Sequence, residues 1–244
     1  MAGDIFFNIE GTPPTQAEGM KLVNETLQRL ADSRVGRIDV EGILAQSKLA
    51  WMAAVLHEAI LYRIVALGQG AALAWNAGNW LTCFLTARAL VETMVLTEDI
   101  HDQIEVALVA ENLELLGQLL RRQTFASRDE EWLARSPADK ATNILTLLDR
   151  FSKKVLPQVR KHYDSLSERC HPNRMGHTQM FSTLDTATGT VTLSDAKNEV
   201  GNKVAITPAL MLLRIFEDRF ARLQEQTERI AALQHRLEPI GGAA

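Results

Sequence analysis

Residues 71–96 read AALAWNAGNWLTCFLTARALVETMVL, the most apolar run in the chain. A run this long suits either a membrane span or the buried central helix of a globular protein, and the two lead to different folds. Asn76, Asn79, Arg88 and Glu92 interrupt it and decide the matter. A charge at the centre of a spanning helix costs roughly 2.5–3.5 kcal/mol. The segment is therefore read as a buried central helix running to about Thr97, and no membrane partner is expected.

Apolar residues recur at helical spacing on both sides of this segment. Upstream, Thr15 follows two prolines and is placed to cap a helix to about Ser33, striped by Leu22, Val23, Leu27 and Leu30. A second helix is expected over roughly 42–67, ended by Gly68 and Gly70. Downstream, residues 101–122 continue as helix, and their basic end suits a C-terminus. The stretch RDEEWLARSPADKA (128–141) holds a short helix, then Ser136-Pro137, which can start the next. Residues 138–171 read as helix kinked at Pro157, where proline removes a ladder bond.

Helical spacing then gives way to TQMFSTLDTATGTVTLSD, which alternates polar and apolar residues about Thr186–Gly189 and reads as a β-hairpin at about 178–194. A last long helix is expected at about 207–237. Leu223, Ile230, Leu233 and Leu237 fall near heptad spacing there, so its second half would project or pair with another chain. The fold class is all-α: a single helical-bundle domain over 1–244, of about seven or eight helices, with the small hairpin inserted before the last long helix. Gly241 and Gly242 read as a tail.

A net charge of −4 gives no global basic field, so any contact with nucleic acid needs a local patch. Cys83 and Cys170 form no CxxC pair, which argues against a disulfide framework or a zinc knuckle. MAGDIFFNIEGTPP (1–14) lacks the basic and apolar regions of a signal peptide. Reduced thiols and a cytoplasmic location are expected. No phosphate-binding glycine loop, dinucleotide fingerprint or nucleophile elbow is present, and no cofactor is expected.

The polar residues with chemical promise fall in two places. Arg88 and Glu92 share a face of the most apolar helix, as an ion pair on a solvated stripe or as a pair reaching across the bundle. YDSLSERCHPNRMGH (163–177) places Tyr163, Ser167 and His171 at i, i+4 and i+8 on one face, beside Leu166 and Cys170. Pro172 ends the helix near His171, where the dipole favours a protonated imidazole. Arg169, Asn173, Arg174 and His177 surround that end, a local cationic cluster to which a phosphate would bind.

ARALVE (87–92) and YDSLSERCHPN (163–173) resemble an uncharacterised family of helical bacterial proteins that pairs an A-R-x-x-x-E helix with a later Y-x-x-L-S-x-x-x-H-P segment. More distantly the chain is similar to HEPN proteins, helical bundles with a metal-independent RNase site made of an Arg and a His some four to six residues apart. That likeness implies a dimer, RNA cleavage and a role in phage defence or toxin–antitoxin systems. The spacing here differs: Arg169 to His171 leaves one residue between, Arg174 to His177 two, and Arg169 to His177 seven.

Two further readings bear on the same residues. Glu98–His101 and Glu168–His171 have the Glu-x-x-His spacing of di-metal bundles, with Glu58 and Glu92 to complete a set; the first pair is expected at the solvated end of the central helix, and no metal site is expected. HEAIL (57–61) lacks the second histidine of a zinc-protease helix and reads as an ordinary face. Two functions remain open. In one, His171 is a general acid or base, Arg169 or Arg174 stabilises the charged transition state, and Arg88, Glu92, Tyr163, Ser167, Asn173 and His177 bind RNA or another phosphate ligand. In the other, Arg88, Glu92, Tyr163, Ser167 and His171 are a structural polar network in a binding or assembly module with a protein partner.

Overall fold

The structure, a computed structural model of the chain, describes residues 6–10, 12–195 and 197–238. Gly241 and Gly242 lie outside them. Helix α1 spans Pro14–Asp32, α2 Ile43–Gln46, α3 Lys48–Asn76, α4 Trp80–Val109, α5 Leu113–Phe125 and α6 Glu130–Arg135. A 3₁₀ turn at Pro137–Asp139 leads to α7 (Ile144–Lys154), α8 (Val159–Cys170) and α9 (Thr178–Phe181). Strands β1 (Ser182–Asp185) and β2 (Thr190–Leu193) follow, then α10 (Glu199–Leu210) and α11 (Leu212–Leu237). The chain is an all-α bundle with one small antiparallel hairpin before its last long helix. The hairpin register sets Ser182 against Leu193 and Leu184 against Val191, and Gly189 supplies the positive φ of 70° that its turn requires.

Local chemistry sets the helix starts. Ser47, Asn79, Asn112, Asp129 and Asn143 each cap a helix by accepting a backbone N–H two or three residues on. Helix α4 is the axis of the bundle and packs against α3, α5, α7, α8, α10 and α11. Phe84, Leu90, Met94, Ile100 and Ile104 along it are fully buried, and each such side chain stabilises the fold by about 1.5–3 kcal/mol. By length and composition, α3 and α4 are also each long and apolar enough to cross a membrane.

Several sequence expectations are corrected. Residues 71–96 are not one helix: Gly78, with φ of 66°, turns the chain between α3 and α4. Gly68 and Gly70 do not end a helix, since α3 runs through both. A Cβ on Gly68 would come within 2.7 Å of Leu27, so this glycine serves the close approach of α1. Thr15 lies inside α1, which starts at Pro14.

The central helix runs on past Thr97 to Val109, and the stretch 101–122 is divided at Asn112. The expected helix over 138–171 is two helices broken around Pro157, because α7 ends at Lys154 and α8 begins at Val159. The last helix starts at Leu212, and Thr207 lies in α10 with the interrupting Pro208. Of its heptad residues, Leu223, Ile230 and Leu233 are buried in this chain's own core, while Leu237 at the helix end is exposed.

Candidate functional site

Helices α4 and α8 bring Arg88, Glu92 and Tyr163 into mutual contact. Arg88 Nε donates to Glu92 Oε1 at 3.1 Å and to the Tyr163 hydroxyl at 3.1 Å, and that hydroxyl donates to Glu92 Oε1 at 2.7 Å. The Arg88 guanidinium also lies over the Tyr163 ring, 5.3 Å from its centroid. Both sequence readings of the Arg88–Glu92 pair hold together: it is an ion pair, and it reaches across to another helix. Burial works against the Arg88 charge, but Tyr163 and Glu92 outweigh it and raise its pKa above the ordinary value. Burial, then the hydrogen bond to Glu92, holds the Tyr163 hydroxyl protonated.

Arg88 and Tyr163 of this trio line an open cleft of about 600 Å³. Arg88, Tyr163, Ser167 and His171 line it together, so the helical face read from the sequence does front one space. Ser167 Oγ is shielded from solvent and has no hydrogen-bond partner among the described residues, not even the i−4 carbonyl that a mid-helix serine usually takes. His171 is exposed at the C-cap of α8, its backbone N–H on the Ser167 carbonyl at 3.1 Å.

The opposite wall was not foreseen. Arg128 and Lys140 line the cleft there, along with the apolar Leu133, Ile144 and Leu145, while Arg160 and Asp164 line it from α8 itself. Arg160 is already paired with Asp149 at 2.7 Å and with Asp164 at 3.1 Å. Arg128 and Lys140 are exposed and have no carboxylate within 4.0 Å among the described residues. Backbone bonds hold these two side by side: Ser127 N–H to the Asp139 carbonyl at 2.8 Å, and Ala141 N–H to the Ser127 carbonyl at 2.9 Å. Trp132 Nε1 on Asp139 fastens the same connection. The sequence signals were thin: the Asp129 cap, and two cations twelve residues apart with no pattern between them.

Four other sequence candidates lie outside this cleft. Arg169 turns to another side of α8, donating to the Ser165 carbonyl at 2.8 Å and lying over the Phe84 ring at 5.4 Å. Asn173 closes the turn after α8: its Oδ1 accepts from Met175 and Gly176, and its Nδ2 donates to Glu168. Gly176 is required there, because a Cβ would fall 2.1 Å from the His171 carbonyl oxygen. Arg174 is exposed beside Gln179, and His177 precedes α9.

The Glu-x-x-His pairs do not meet. Glu98 and His101 lie within α4 rather than at its end, and Glu98 is 4% exposed and bound by Arg219. Glu168 holds Asn173, Glu58 holds the Val35 N–H, and Glu92 belongs to the trio above. His57, read as part of an ordinary face, is buried. Compared with protein-family models, curated proteins and solved structures, the chain finds no match.

Proposed function

We propose that the cleft between α8 and the connection from residue 126 to 143 binds RNA or another phosphate-bearing ligand, and that His171 serves there as general acid or base in metal-independent cleavage. The observation that carries this reading is the pair Arg128 and Lys140: two cations on one cleft, on a connection held by backbone bonds, with no carboxylate within 4.0 Å of either among the described residues. A phosphate oxygen would satisfy both. Arg88 lines the cleft whereas Arg169 and Arg174 do not, and Arg160 is already paired with Asp149 and Asp164, so Arg88 is assigned the electrostatic role. The dimer and the defence role implied by the HEPN likeness belong to the same proposal, and light scattering on the purified protein tests the first.

A second reading is favoured by the closure of Arg88, Glu92 and Tyr163 on one another, which is how a structural network satisfies itself. Cleavage of labelled RNA in EDTA separates the two. Wild type is compared with His171→Ala and Lys140→Glu, both at exposed positions and both matched for thermal stability. Cleavage lost in both folded variants supports the nuclease. No binding and no cleavage by wild type leaves the structural network.

A further inference from the structure

Residues 6–10, FFNIE, lie outside any helix or strand, and side chains of three helices hold their main chain. Asn24 of α1 accepts from the Phe7 N–H through Oδ1 and donates to the Phe7 carbonyl through Nδ2, both at 3.0 Å. Asn76 of α3 takes the neighbouring groups: its Nδ2 donates to the Phe6 carbonyl and its Oδ1 accepts from the Asn8 N–H, both at 2.7 Å. An extended chain turns these groups alternately to opposite edges, so the two asparagines read the segment from both edges, as flanking strands would. Trp75 Nε1 donates to the Asn8 carbonyl at 2.9 Å, and Lys203 Nζ of α10 donates to the Glu10 carbonyl at 3.3 Å.

Of the five side chains only Phe7 is buried, its ring edge-on to Trp75 with centroids 5.6 Å apart. Main-chain bonds with one side-chain anchor are how proteins recognise extended peptides. The seat between α1, α3 and α10 is thus built like a peptide site, and the chain's own segment fills it. The Thr12 N–H on the Ile9 carbonyl at 3.1 Å closes the turn that folds the segment back. Opening that turn releases the segment without unfolding α1, which begins at Pro14. None of these residues lines the cleft at α8.

We infer that this seat pairs two copies of the chain by exchange of residues 6–10. A second copy is the partner whose chemistry the seated segment displays, since it carries the same arm and the same seat. Every bond made in cis then has its counterpart in trans. A short tether holds the chain's own arm at an effective concentration of about a millimolar, which opposes exchange in dilute wild type. Breaking the arm of one copy and the seat of another removes that competition.

The test mixes two full-length variants after circular dichroism has shown both to be helical. Phe7→Ala keeps the seat and spoils the arm, and Asn24→Ala/Asn76→Ala does the reverse. Sedimentation equilibrium is expected to show the mixed pair associating at least about tenfold more tightly than either variant with itself. The peptide FFNIE, acetylated and amidated, should bind Phe7→Ala at least about tenfold tighter than wild type, whose own arm competes for the seat. A mixture that associates no more tightly than either variant alone would overturn the exchange. So would a peptide that binds Phe7→Ala no tighter than wild type. A dimer equally strong in wild type and in both variants would overturn the exchange while leaving the dimer proposed above, on another surface.

Discussion

Helix α4 carries two groups of charged residues within two turns of each other, and they are built on opposite plans. At its middle, Glu98 has a side chain 5% exposed and is gripped by Arg219 at 2.5 Å, with Lys154 at 3.8 Å. Asp99 next to it takes Arg150 at 2.8 Å and Gln103, and Asp102 takes Lys154. Every carboxylate there is matched by a cation from α7 or α11, which leaves nothing for a ligand. Nearer its start, Arg88 and Glu92 keep side chains 28% and 29% exposed, and Arg88 lines a cleft that holds two cations with no carboxylate within 4.0 Å among the described residues. The same residue types in one apolar helix make a lock in one place and stand beside an open cleft, the proposed site, in the other. Saturation and access decide which, rather than the presence of charge.

The comparison breaks first at the lock. Arg219→Leu strips Glu98 of its main partner while burying the carboxylate as before. The expected loss is about 3 kcal/mol by chemical denaturation, with RNA affinity unchanged. A loss under about 1 kcal/mol would mean that Lys154 alone suffices.

The buried side also has a pH signature, through His57 on α3, which burial and His101 of α4 together hold down to about 3 from the ordinary 6.5. A base whose folded pKa is depressed contributes stability that is intact above the unfolded value. That stability is lost as pH falls toward the folded one, because only the unfolded chain takes up the proton. The stability advantage of wild type over His57→Gln should therefore narrow by roughly 1 kcal/mol per pH unit below about 6.5. A constant difference between about pH 7.5 and 4.5 would refute this.

Tyr163→Phe sharpens the other side of the comparison. It removes the hydroxyl that joins Arg88 to Glu92 but keeps the ring under the guanidinium, so about 1 kcal/mol is expected from thermal unfolding. The smallest stability effect should come from Arg128→Glu/Lys140→Glu, within about 0.5 kcal/mol of wild type, because neither side chain has a partner to lose.

How far the sequence revealed this can be judged residue by residue. The i, i+4, i+8 face of Tyr163, Ser167 and His171 was legible because a helix fixes it, and so was the Arg88–Glu92 pair. The same geometry already argued against joining Arg169 to His171, since residues two apart on a helix do not face each other. Proximity in sequence concealed that. Gly68 was misread because a helix breaker and a close helix contact use the same residue, and only the packing of α1 tells them apart. Arg128 and Lys140 were out of reach for a different reason. Their meeting depends on backbone bonds between Ser127, Asp139 and Ala141, which leave no side-chain signature.

The central claim is that the cleft owes its ligand to those two unmatched cations. It is tested most directly by the anisotropy of a fluorescein-labelled RNA dodecamer at about 50 mM salt, where phosphate contacts are strongest. Wild type is compared with Arg128→Glu/Lys140→Glu and with Arg174→Ala, whose arginine stands outside the cleft. The expected result is a loss of tenfold or more in the double variant and less than twofold in Arg174→Ala. Equal RNA affinity in wild type and the double variant, or a loss confined to Arg174→Ala, would contradict the account.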